Sequence, residues 1–192
     1  MKIVFASQNK NKIREIASLL PGGITLAGLD EFKISAELEE PFDRLELNAA
    51  HKARTVFQLT GLPAFADDTG LEVDALGGRP GVYSARYAGE AKDTQQNMAK
   101  LLGELKNEAN RGARFRTVIA WVNGDEEQLF EGIVRGTILT GQRGEKGFGY
   151  DPVFQPEGFS KSFAEMELAE KNTVSHRARA FAEFIRFLEK NA

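Results

Sequence analysis

The stretch Phe115–Leu139 reads FRTVIAWVNGDEEQLFEGIVRGTIL. β-branched and aromatic residues fill Phe115 to Val122 and return over Gln128 to Leu139, and the Asn123-Gly124-Asp125 segment between them carries the turn chemistry of an antiparallel hairpin. Two long paired strands are predicted here. Outward from them the pattern changes period. Met98, Leu101, Leu102 and Leu105 recur at helical spacing over Asp93 to Leu105, and Phe181, Phe184, Ile185 and Leu188 do so in a last helix from Thr173 to Lys190. Toward the N-terminus, Lys2 to Ala6 is a short strand ending in the polar loop Ser7 to Asn11. A helix over Lys12 to Leu20 follows, stopped by Pro21-Gly22-Gly23.

A second helix is expected from Asp43 to Leu59, with Leu45, Ala49, Ala53 and Phe57 on one face. Pro63 to Ala66 reads as a buried strand, Asp67-Asp68-Thr69-Gly70 as a carboxylate-bearing turn, and Leu71 to Leu76 as another strand. Strands alternating with helices, plus one strong hairpin, predict an α/β fold with a long twisted mixed sheet flanked by helices. At 192 residues the expectation is a single domain spanning 1–192, with room for two closely joined lobes.

Composition narrows the function classes. The 25 Lys+Arg against 28 Asp+Glu give a formal charge of −3, so no global positive field is present to hold a nucleic-acid polymer. Any phosphate partner must be held locally. With no cysteine there are no disulfides, thiolate metal sites or thiol nucleophiles, which fits a reducing compartment. The N-terminus turns polar at Gln8, too early for a signal peptide, and no apolar run approaches the roughly 18 residues of a membrane span. A cytoplasmic protein without membrane association is expected.

Four segments carry candidate chemistry. Ser7-Gln8-Asn9-Lys10-Asn11-Lys12 lies between a strand and a helix, where unpaired N–H groups and the helix dipole favour an anion. A cation at Lys12 opposes that dipole, a mismatch a bound phosphate relieves; the plainer reading is a polar loop capped by Asn11. Asp67-Asp68 sits at a strand end, Asp68 being the better candidate for an active carboxylate, and Glu39 or Glu40 supplies another. Mg²⁺ prefers such oxygen ligands and is commonly held by one or two carboxylates plus substrate phosphates; turn formation and solvated loop charge are the alternatives. Gly147-Phe148-Gly149-Tyr150-Asp151-Pro152-Val153-Phe154 offers close backbone approach and a stacking ring at Phe148, or else a glycine-bent strand with core aromatics. Asp151, preceding Pro152, is expected to be extended.

Ser175-His176-Arg177, with Lys171 upstream, places donors and cations at a helix start. His and Arg donors suit the 6-oxo acceptor of hypoxanthine or xanthine and leave the 6-amino group of adenine unmatched. Ser175 and His176 are adjacent on one helix, so a serine-hydrolase pair is poorly formed. His51 has no partner at a suggestive spacing.

Taken in order, SQNKNK at 7–12, ADDTGLEVDALGGRPGVYSARYAG at 66–89, GFGYDPVF at 147–154 and SHR at 175–177 resemble the inosine triphosphate pyrophosphatase family over essentially the whole chain. The resemblance implies an elongated protein of two lobes with the nucleotide in a cleft between them, assembled as a homodimer and using Mg²⁺. It implies that Ser7, Asn9 and Lys12 form a triphosphate-binding loop, with Lys52 a further phosphate contact and Gln8, Lys10 and Asn11 of the same loop counted as substrate-binding, and that Glu40 and Asp68 hold the metal, with Asp67 a further candidate. By the same likeness Asp68 is the catalytic base and Thr69 touches substrate. Phe148, Gly149, Tyr150, Asp151, Lys171, Ser175, His176 and Arg177 would form the nucleotide pocket. The implied reaction splits ITP, dITP or XTP to the monophosphate and pyrophosphate. A broader nucleotide pyrophosphatase and a catalytically silent nucleotide sensor are the competing readings.

Overall fold

The structure is a computed structural model and describes Met1–Asn191. Seven strands form a mixed sheet of order β2-β1-β3-β5-β6-β7, with β4 on β3. They are β1 (Lys2–Phe5), β2 (Thr25–Ala27), β3 (Ala64–Val73), β4 (Pro80–Gly81), β5 (Gly112–Asn123), β6 (Glu126–Ile138) and β7 (Phe154–Pro156). The helices are α1 (Lys10–Ala17), α2 (Leu45–Thr60), α3 (Thr94–Glu104), α4 (Leu168–Val174) and α5 (His176–Lys190). β1 runs parallel to β2 and β3, pairing Ile3 with Leu26 and Val4 with Ala64, while β4 and β7 are antiparallel to β3 and β6. The expected α/β class and mixed sheet are therefore present. No helix among the described residues is long and apolar enough to cross a membrane.

The chain divides into two compact units. The first comprises Met1–Asp68, Thr117–Gly132 and the stretch from Arg177 onward; the second comprises Thr69–Arg116 and Ile133–His176. The core of the first gathers Ile3 and Phe5 of β1, Ile16 of α1, Phe65 of β3, Ile119 and Trp121 of β5, and Phe181, Phe184 and Leu188 of α5. Phe5 stacks on Phe65 at 4.7 Å, and Phe184 packs 5.4 Å from Trp121. In the second unit Met98 and Leu101 of α3, with Leu105 directly after it, bury against Phe115, Val134, Ile138, Phe154 and Phe163. The apolar stripes predicted for α3 and α5 are the ones buried, Leu102 and Ile185 lying at their partly covered edges.

Three local expectations are corrected. Asp67-Asp68-Thr69-Gly70 is not a turn: β3 runs unbroken through it. Both carboxylates are buried there, and Gly70 lets β4 approach so closely that a Cβ would lie 2.7 Å from the Gly81 carbonyl oxygen. The last helix is two helices, because Ser175 is extended (φ −67°, ψ 152°) and ends α4 before α5 begins. Asp151 opens a short 3₁₀ turn, Asp151–Val153, instead of standing extended; Pro152 tolerates the first positions of such a turn, where no intrahelical N–H is needed.

Candidate active site

In the first unit β1 delivers the chain into a loop that ends at the N-terminus of α1. Asn9, not Asn11, caps this helix, its side-chain oxygen accepting from the N–H groups of Asn11 and Lys12 at 3.0 and 3.2 Å. Ser7 Oγ accepts from the Asn9 N–H at 3.2 Å, and Gln8 donates to the carbonyls of Ser35 and Ala36, both at 3.1 Å. Gln8 thus holds the loop's shape, while Lys10 and Asn11 are exposed. Lys12, whose charge opposes the helix dipole, reaches both oxygens of Asp67 at 3.0 Å.

Asp67 is the hub of a buried ion network. Arg177 donates to its Oδ2 at 3.3 and 3.2 Å and binds Glu15 through the remaining nitrogen. Burial alone would raise the Asp67 carboxyl, but Lys12 and Arg177 outweigh it and hold the group well below the usual carboxylate range. The donor role expected of Arg177 toward a base is therefore taken up by two carboxylates. Glu15 was not foreseen; the available signal is its place three residues after Lys12 and next to buried Ile16, a charge on the packed face of α1.

Along β3 the next side chain points to the other face. Asp68 accepts from Asn48 of α2 at 3.2 Å and lies 4.0 Å from the Lys52 ammonium. Lys52 also binds Glu40 at 2.5 Å and the Asp67 carbonyl at 2.8 Å. Burial, opposed by Lys52 and assisted by the charge of Glu40, pushes Asp68 up to about 6. The Glu40 carboxyl is lowered, because Lys52 outweighs the effect of its burial. Lys12, Lys52 and Arg177 are three cations set against the four carboxylates Glu15, Glu40, Asp67 and Asp68, an excess of negative charge concentrated at Glu40 and Asp68. Glu39 is exposed.

These groups fit a hard divalent cation. Glu40 and Asp68 offer only oxygen donors, and the two carboxylates stand on either side of the one Lys52 ammonium. Among the described residues no group of three or more His, Cys, Asp or Glu side chains is placed to hold a metal. A two-carboxylate set matches an ion whose remaining positions are filled by water and phosphate.

The second unit holds the aromatic set. Lys171 of α4 is buried, donates to Asp151 at 2.7 Å, and stands 5.2 and 5.4 Å from the ring centres of Phe148 and Phe163. Asp151 also accepts from the Phe148 N–H at 2.9 Å. Gly147 is required here, having φ +74° and a position where a Cβ would lie 2.1 Å from Asp151 Oδ2. His176 stacks on Phe115 at 4.5 Å with 13° between the planes. Tyr150 is committed to the core, its hydroxyl donating to the Ser84 carbonyl at 2.8 Å, and Ser175 caps α4 by its backbone. Thr69 is half-buried in β3, and Gly149 turns the chain at φ +61°. His51 lies outside both sets, edge-on to Phe42 at 5.7 Å.

Comparison with known proteins gives one answer. The family model described as "Ham1 family" matches residues 3–187. A protein of Flavobacterium johnsoniae called dITP/XTP pyrophosphatase is 51% identical over 188 residues, covering 98% of each chain. One of the same name from Bacillus subtilis is 44% identical, covering 97% of this chain and 96% of its own. The Ham1 protein of Staphylococcus aureus superposes with a TM-score of 0.91 at 39% identity, covering 100% of both chains. With a family model spanning nearly the whole sequence and relatives matched end to end, the chain belongs to the Ham1 family.

Proposed function

We propose that this chain is a Mg²⁺-dependent pyrophosphatase that hydrolyses ITP, dITP and XTP to the nucleoside monophosphate and pyrophosphate. The observation that carries the reading is the convergence of Lys12 and Lys52 on the Asp67-Asp68 pair, beside Glu40 and at the start of α1. A buried and a half-buried cation beside a helix N-terminus suit a polyphosphate, and two carboxylates suit its counter-ion. The names of the relatives from Flavobacterium johnsoniae and Bacillus subtilis point to the same reaction.

Glu40 and Asp68 would hold the Mg²⁺. The chemistry such an ion supplies is neutralisation of phosphate charge and polarisation of a phosphoryl oxygen. Asp68 accepts a proton from the water that attacks the α-phosphorus, and the bond from that phosphorus to the bridging oxygen breaks to release pyrophosphate. A carboxyl pushed up to about 6 is basic enough for this and still ionised at pH 7. Lys12 and Lys52 donate to the oxygens on which negative charge grows.

The aromatic set is assigned to the base. Phe148 supplies a stacking face, and the ammonium of Lys171, held by Asp151, supplies a donor that a 6-oxo group accepts and a 6-amino group cannot. Lys171, expected in the nucleotide pocket, is assigned to the base because its charge is engaged by Asp151 and lies over aromatic rings. His176 remains a base-side residue. Lys171→Met is expected to lower kcat/KM for ITP by about 10- to 100-fold, the value of a charge-assisted hydrogen bond, with a smaller change for ATP. Equal losses for both nucleotides would remove Lys171 from base selection.

A homodimer in a cytoplasmic setting completes the proposal, supported by the family resemblance and, for the compartment, by the absence of cysteine. The test of the whole reading is steady-state kinetics on ITP, dITP, XTP, GTP and ATP with Mg²⁺. The three 6-oxo substrates lacking a 2-amino group are expected to exceed ATP and GTP in kcat/KM by 10-fold or more, since an unmatched buried donor costs about 1–3 kcal/mol. A flat profile favours the broader pyrophosphatase, and tight ITP binding without turnover favours the silent sensor.

A further inference from the structure

We infer that Asn48 is a positioning residue that sets Glu40 and Asp68 at the spacing a divalent cation needs. The inference rests on the reading of those two carboxylates as the metal's ligands. Asn48 is fully buried in the first turn of α2, on the face that carries Leu45 and Ala49. A bare amide there would cost about 1–3 kcal/mol if unsatisfied. Its hydrogen bonds instead point two ways. Oδ1 accepts from the Phe42 N–H at 2.9 Å, and Nδ2 donates both to the Phe42 carbonyl at 3.1 Å and to Asp68 Oδ2 at 3.2 Å.

Residue 42 is two positions beyond Glu40, across Pro41, in a segment with no helix or strand of its own. The Phe42 ring is exposed, so at residue 42 the segment is held by the Asn48 clasp on its backbone, as Glu40 is held by Lys52. One amide therefore ties the strand that carries Asp68 to the loop that carries Glu40. It also orients the Asp68 carboxylate: Oδ2 faces the amide and Oδ1 faces Lys52. Partners that orient ligating groups in this way are worth about 10- to 100-fold in metal affinity.

The second unit contains a matched control. Asn97 of α3 is also buried, accepts from the Ala88 N–H at 2.7 Å and donates to the Ala85 carbonyl at 2.8 Å. It clasps a loop onto a helix in the same manner, with no carboxylate among those partners. Comparing the two separates loss of a loop clasp from loss of a ligand's orientation.

The experiment is calorimetric titration of Mn²⁺ alone into the wild type, Asn48→Ala, Asn97→Ala and Glu40→Gln, with a melting curve for each. Asn48→Ala is expected to weaken Mn²⁺ binding by 10- to 100-fold, and Asn97→Ala to leave it within twofold despite a similar fall in melting temperature. Turnover of ITP by Asn48→Ala is expected to recover in part at raised Mg²⁺. If Asn48→Ala fails to fold, Asn48→Ser, which keeps a small polar group but cannot span Phe42 and Asp68, is read in the same way. Wild-type Mn²⁺ affinity in the Asn48 variant alongside its loss in Glu40→Gln overturns the inference alone. Wild-type affinity in Glu40→Gln overturns the metal-ligand reading, and the inference with it.

Discussion

Asp68→Asn is expected to lower kcat by 10²-fold or more and, at the same time, to raise the melting temperature of the metal-free protein at pH 7 to 8. The first effect follows from removing the group proposed to take the water's proton, a role commonly worth about 10²- to 10⁴-fold. The second follows from linkage. The folded carboxyl is raised to about 6, well above the ordinary aspartate value of about 4, so ionising it is harder in the folded chain than in the unfolded one. Folding is therefore penalised above about pH 6, and the penalty fades as pH falls through 6 toward 4. The full difference is on the order of 2–3 kcal/mol. The neutral amide escapes it and, at 192 residues, should melt several degrees higher. Melting curves in EDTA from pH 4 to 8 check this: the variant's advantage should vanish at the acid end. An unchanged kcat would remove Asp68 as the base, and a variant less stable than wild type at pH 8 would contradict the electrostatic account of its site.

Arg177→Met should be the most destabilising single change in the first unit. The guanidinium is 2% exposed and bridges Asp67 and Glu15, whose side chains are 0% and 7% exposed. Taking away the cation leaves two buried carboxylates, of which Asp67 keeps its ion pair with Lys12. Removing one partner of a buried pair costs about 3–5 kcal/mol. For a chain of this length that corresponds to a drop of roughly 6–20 °C in melting temperature. Glu15→Leu combined with Arg177→Met should recover part of the loss, because fewer buried charges then stand unmatched; chemical denaturation of both singles and the double reads the coupling. A cost below about 1 kcal/mol for Arg177→Met would show that water reaches these groups and that the network does not hold the site.

Much of the architecture was legible because it depends on residues close together in the chain. The Phe115–Leu139 hairpin, the stripe Met98, Leu101, Leu105 and the stop after α1 each declare themselves within one element. The unbroken course of β3 did not, since Asp67-Asp68-Thr69-Gly70 has the composition of a turn and becomes a strand only when its charges are matched. The matching groups are Lys12 and Arg177, 55 and 110 residues away. The helix break at Ser175 lacks the Pro or Gly that usually signals one. At the site, the types of residue were readable but the roles came from the family resemblance. Arg177 and Lys171 carry the same charge and lie six residues apart, yet one is locked between carboxylates and the other lies against aromatic rings. Only tertiary packing separates them. Asn48 and Glu15 were hidden for a related reason: a polar side chain on a packed helix face announces that it has a partner without saying which.

The central claim is that water attacks the α-phosphorus, so that one cut yields the monophosphate and intact pyrophosphate. Hydrolysis of ITP in ¹⁸O-water with Mg²⁺, followed by mass spectrometry of both products, reads this directly. The account predicts equimolar IMP and pyrophosphate, no early orthophosphate, and the heavy oxygen in IMP. Orthophosphate as first product, or the label in pyrophosphate, would contradict it.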